Sequence, residues 1–151
     1  MTKRWSVTDF PVGIYQLNRN QSVNFQMNRF FNWSNDKVLL KQMQSLDNSK
    51  QTYTSLINNF TNLGNEALSE GSNLRASMYY RAAEFYLPES DSRKKKLRDK
   101  FVELSNSFYN INKNQHFLIP YKDGTLSAYE LKNANPVGTI LFINGFDGYI
   151  E

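Results

Sequence analysis

The sequence predicts a mainly α protein with a small β part, in which five antiparallel helices precede three strands. Three observations carry this prediction. From Val23 to Ile111 apolar residues recur at three- and four-residue spacing, the period of one helix face. Beyond Asn112 the pattern changes to short strand-like runs broken by turn residues, Asp123-Gly124 and then Asn133 to Pro136. The last run, Ile140-Leu141-Phe142-Ile143, is apolar without alternation, as in a strand buried on both faces. Two domains are expected, a helical one over residues 1–112 and the start of an α/β one over residues 113–151.

Each helix follows from its own residues. Pro11 and Gly13 break any early helix, so the first is placed near 21–32, with Val23, Met27, Phe30 and Phe31 inward. Ser34 or Asn35 would cap a second, carrying Val38, Leu39, Met43 and Leu46 and ended by Asp47-Asn48-Ser49. The third spans about 50–70, with Tyr53, Leu56, Ile57, Phe60, Leu63 and Leu68 inward and Gly71 as its stop. A fourth, over 72–87, mixes small and aromatic residues (Ala76, Tyr79, Tyr80, Ala83, Tyr86) and must close before Pro88. Asp91 offers an N-cap to the fifth, which extends to Asn112. Lysines in its first turns oppose the helix macrodipole at about a few tenths of a kcal/mol each, so packing must carry that helix.

Strand-like runs at 115–121 and 125–131 flank Lys122-Asp123-Gly124, where Asp-Gly signals a hairpin. Val137 to Ile143 supplies the third strand.

Composition narrows the function classes. With 40% hydrophobic and 15% aromatic residues over 151 positions, the chain can build a core. Its polar excess is mostly amide and hydroxyl, interleaved with Phe, Tyr, Leu and Ile, which does not match disorder. The formal net charge is +4, but the only dense basic run, Arg93 to Lys96 with Arg98 and Lys100, lies opposite Leu97, Phe101, Leu104, Phe108 and Ile111. A solvated face follows rather than a nucleic-acid site, because no aromatic platform accompanies it. Zero cysteines exclude disulfides and thiolate ligands, and one histidine leaves no imidazole pair, so no metal or other cofactor is expected. No apolar segment follows the basic residues of the N-terminus, and no apolar run approaches the roughly 18 residues of a membrane span. A soluble cytoplasmic protein with no membrane partner is expected.

Two motifs stand out. Leu63, Gly64, Ala67, Ala76, Tyr80, Ala83 and Pro88 sit at the spacings of one tetratricopeptide repeat, a helix hairpin in which small residues permit close packing. No second copy follows at a fixed period, so an ordinary close-packed αα-hairpin accounts for the same residues. The other motif is Asn144-Gly145-Phe146-Asp147-Gly148 at the end of the third strand. A glycine there lets the backbone turn sharply so that the next amide, that of Phe146, can face a developing oxyanion, a donor worth roughly 3 kcal/mol in acyl transfer. By residue chemistry alone the same loop is also an ordinary turn.

Taken in order, Asn24 to Arg29, Ala67 with Glu70-Gly71, Tyr79-Tyr80-Arg81-Ala82-Ala83-Glu84-Phe85, Pro120-Tyr121, and Gly145 to Gly148 with Glu151 resemble the N-terminal half of one hydrolase group. These are the α/β-hydrolases with an N-terminal helical cap domain, a group that includes 2,6-dihydroxypseudooxynicotine hydrolase, the fermentation-respiration switch protein and acylaminoacyl-peptidase-like chains. The resemblance spans nearly the whole chain. It implies that the five helices are the cap, lying over an active site, and that the three strands begin the hydrolase sheet. It further implies Phe146 as backbone oxyanion donor, Gly145 as the residue that permits the turn, and Asp147 and Glu151 as supports of the loop or of a following helix. The serine, acid and histidine of the triad would lie after Glu151, making this chain a truncated and inactive portion whose complete enzyme acts on a small-molecule or short-peptide substrate. Where the family often has Gly-Gly, this chain has Asn144-Gly145.

Other residues read plainly. His116 has no serine or carboxylate at motif spacing, and no serine stands in a Gly-x-Ser-x-Gly elbow. Arg81 and Glu84 form an intrahelical i, i+3 pair worth roughly 0.3 kcal/mol, or else join cap to core. An uncovered third strand would favour a homodimer or other edge-strand association. The rival functional reading is a non-catalytic helical interaction module built on the tetratricopeptide-like hairpin.

Overall fold

A computed structural model of the chain describes residues 14–46 and 51–143. Among them are five α-helices: α1 (Gln21–Ser34), α2 (Lys37–Ser45), α3 (Tyr53–Ser69), α4 (Asn73–Phe85) and α5 (Ser92–Tyr109). One antiparallel sheet follows, of β1 (His116–Tyr121) and β2 (Gly124–Tyr129). The protein is thus mainly helical with a small β part. Two compact units divide it, Met1–Ser105 and Asn106–Glu151, with the division falling inside α5.

Caps decide the helix limits. Asn20 accepts from the Val23 amide at 3.1 Å to begin α1, and Asn35 ends it in the left-handed region at φ 47°, donating its amide to Phe31 O. The expected cap of α2 is thereby corrected. Asp36, not Ser34 or Asn35, accepts from the Val38 and Leu39 amides at 2.7 and 3.2 Å, because α1 runs through Ser34 and consumes Asn35 as its terminator. Thr52 and Ser55 form a reciprocal capping box on α3, which therefore starts after residue 50. Gly71 stops α3 as expected. At φ 73° it donates to Leu68 O while Ser72 donates to Ala67 O at 2.9 Å, the paired bonds of a Schellman turn. Asn110 takes the same role after α5 at φ 55°, with Ile111 donating to Asn106 O at 2.9 Å, so α5 ends short of the expected Asn112.

The first unit is organised around α4. Every residue from Arg75 to Glu84 is buried, where a helix with one solvent face would alternate. Its neighbours are α3, α1 and α5. Against α3 the approach is closest at Gly64, where an added Cβ would lie 2.8 Å from Cε1 of Tyr80. Val23, Met27, Phe30 and Phe31 of α1, Leu56, Ile57 and Phe60 of α3, and Leu97 and Phe101 of α5 complete the core. Rings stack from Tyr79 to Phe60 to Tyr86 to Tyr53 with centroids 6.2, 6.4 and 5.6 Å apart. Two residues expected inward on α3 are not. Tyr53 is the outer end of this column at 62% exposure, and Leu68 sits in the last turn at 39%.

In the second unit the hairpin forms one residue tighter than Lys122-Asp123-Gly124 suggested. Tyr121 pairs with Gly124, and Lys122 takes the positive φ of 49° while Gly124 joins β2. Phe117, Ile119 and Tyr121 share one face with Leu126 and Ala128, opposite His116, Leu118 and Pro120. The third strand is a correction: residues 137–143 form none, and Ile140, Leu141, Phe142 and Ile143 are 79–91% exposed rather than buried on both faces. The physical reason is that a strand is defined by the ladder beside it. Apolar side chains favour burial but supply no partner for the backbone, and no described segment pairs with this one.

Candidate functional site

Asn144, Gly145, Phe146, Asp147 and Glu151, the residues predicted to form and support the oxyanion loop, lie outside the described residues. What is described leads up to them: an exposed apolar run, 137–143, following a bend at Ala134 and Asn135 where the Asn135 amide donates to Asn133 Oδ1.

The tract Tyr79 to Phe85 is described throughout, and its polar atoms have specific employment. The Tyr79 hydroxyl donates to Gln42 Oε1 at 2.9 Å, fastening α4 to α2, and burial holds its acidity well below that of a free phenol. Tyr80 donates to Asn65 Oδ1 at 2.8 Å, and Lys100 lies over its ring at 4.5 Å. Arg81 bonds Glu84 and lies over the rings of Phe85 and Phe101 at 5.7 and 6.0 Å. The expected i, i+3 pair forms, and it is buried, with Glu84 only 1% exposed. Two helices decide this, because α5 brings Lys94 to 3.0 Å from Glu84 Oε1 and closes the cluster from the other side. Lys94 also donates to Glu84 O and Leu87 O at 3.2 and 3.0 Å, adding a side-chain donor at the C-terminal end of α4. Arg81 and Lys94 thus set two cations on one buried carboxylate, an arrangement suited to holding α5 on α4.

Arg75 performs a similar task at the other end of α4. It donates to Glu70 Oε2 at 2.6 Å and to Ser72 Oγ at 2.7 Å, and its Nε lies 3.7 Å from Asp36 Oδ2. The N-terminus of α2, the C-terminus of α3 and the start of α4 thus meet on one guanidinium.

A third arrangement escaped sequence reasoning. Asn28 receives the Tyr15 amide on Oδ1 at 2.8 Å and donates from Nδ2 to Tyr15 O at 2.9 Å, so its side-chain amide pairs with Tyr15 as a neighbouring peptide would. Asn24, one turn earlier, accepts the amides of Leu17 and Asn18 at 2.6 and 2.9 Å. Asn18 donates to Gln51 Oε1 at 2.7 Å. The only available signal was the i, i+4 spacing of two asparagines on α1, inside the tract Asn24 to Arg29.

Two shallow clefts border these asparagines. One, of about 470 Å³, is lined by Ile14, Gln21, Ser22, Asn24 and Phe25. The other, of about 460 Å³, lies among Asn18, Arg19, Asn20, Thr52 and Tyr53. On the hairpin, His116 Nε2 meets Ser127 Oγ and its ring stacks on Tyr129 at 4.7 Å, but the contact is exposed and no carboxylate among the described residues orients the imidazole. Among the described residues no group of three His, Cys, Asp or Glu side chains gathers at metal-binding distance, and no helix is long and apolar enough to cross a membrane.

Comparison with protein-family models, with curated proteins and with solved structures finds no match to this chain. Its class is accordingly the architectural one, a mainly α chain carrying a small antiparallel β part.

Proposed function

We propose that this chain is the helical N-terminal portion of a cytoplasmic serine hydrolase of the α/β-hydrolase fold, acting on an ester, amide or carbon–carbon bond. The observation that carries the reading is the ordered series of motifs from Asn24 to Gly148, whose most specific member, Tyr79 to Phe85, is buried as far as Glu84 at the centre of the helical unit. Its side chains meet α1, α2, α3 and α5, which gives the tract a defined place in the helical unit. The exposed apolar run before Asn144 supports the reading too, since uncovered side chains of that kind belong against a further layer.

In this proposal the amide of Phe146 donates to the oxyanion formed as a serine attacks the substrate carbonyl, and Gly145 allows the backbone to turn so that the amide faces it. Asp147 and Glu151 support the loop. The helical unit limits which substrates enter, and the nucleophile is assigned to no residue of this chain. The 151-residue chain alone is then inactive.

Fluorophosphonate labelling of the 151-residue chain, and of the natural reading frame that contains it, tests this. Label is expected only on the latter, at a serine within a Gly-x-Ser-x-Gly element. Label on the short chain, at Ser127 beside His116 for instance, or a reading frame that ends at Glu151, would overturn the proposal.

A further inference from the structure

We draw no further inference here: the strongest candidate, the cleft of about 460 Å³ where the N-terminal ends of α1 and α3 meet beside Arg19 and Tyr53, rests on helix N-termini with no second observation that points to a ligand.

Discussion

Gly64 of α3 lies against the ring of Tyr80 of α4, so closely that a Cβ at position 64 would sit 2.8 Å from Cε1 and 3.0 Å from Cδ1. Alanine would gain about 1 kcal/mol of helix propensity there. It would also overpack an interface where Tyr80 is fixed by Asn65 and Lys100 and has no room to withdraw, at about 1–3 kcal/mol. Gly64→Ala is therefore expected to lower the urea midpoint, and adding Tyr80→Leu to Gly64→Ala should cost less than the two changes separately. Simple additivity in a double-mutant cycle would refute the contact.

Removing the carboxylate between Arg81 and Lys94 should be far more costly than a surface pair implies. Glu84→Gln removes the buried carboxylate that Arg81 and Lys94 share and leaves the exposed Glu89, 3.5 Å from Lys94, as a weaker partner, a loss of about 3–5 kcal/mol. Replacing Lys95, whose partner Asp99 is exposed, should cost less than about 1 kcal/mol. Thermal denaturation of the two variants reads the contrast, and equal losses would mean that water reaches Glu84.

Asn28→Ala strips the Tyr15 backbone of both its partners on α1. The expected cost is about 1–3 kcal/mol. Amide exchange at Tyr15 should accelerate by more than at Phe60, whose amide belongs to α3. Asn28→Asp, which sets a buried carboxylate against the carbonyl oxygens of Tyr15 and Asn24, should cost more than alanine.

Stability should fall on the alkaline side. Burial raises the Tyr79 and Tyr86 hydroxyls above the ordinary phenol value of 10.0, so the folded state keeps them neutral while the unfolded chain ionises. Their contribution is complete below about pH 10 and is lost as pH rises beyond it. Tyr79→Phe should flatten that decline while costing about 1 kcal/mol at neutral pH through its lost bond to Gln42. The acid side has a separate origin. Arg93 bonds Asp91 through its side chain and its amide and lowers that carboxyl to about 2, so the contribution is present above the usual 3.8 and lost between the two values. Asp91→Asn should lower stability above pH 3.8 and flatten the acid decline while leaving the alkaline decline in place, as followed by circular dichroism against pH.

Apolar spacing made much of the helical unit legible. Val23, Met27, Phe30 and Phe31 point inward as their periodicity requires, and Gly71 ends α3 because only a residue tolerant of positive φ continues that turn. Failures cluster where a second segment decides the outcome. Ser34 and Asn35 looked like caps until α1 claimed both, and the i, i+3 pair of Arg81 and Glu84 gave no sign that α5 would bring Lys94 to it. The oxyanion loop was legible only as a sequence motif, and its residues lie outside those described.

By itself the sequence determined the helical period, the hairpin after Asn112 and the stop at Gly71, since these depend on side chains and dihedral preferences within a few positions. Tertiary structure decided that α4 is buried on all sides, that Lys94 closes the Arg81 and Glu84 cluster, and that 137–143 is no strand. Burial and pairing belong to two segments at once. No periodicity along one segment states which other segment will lie beside it.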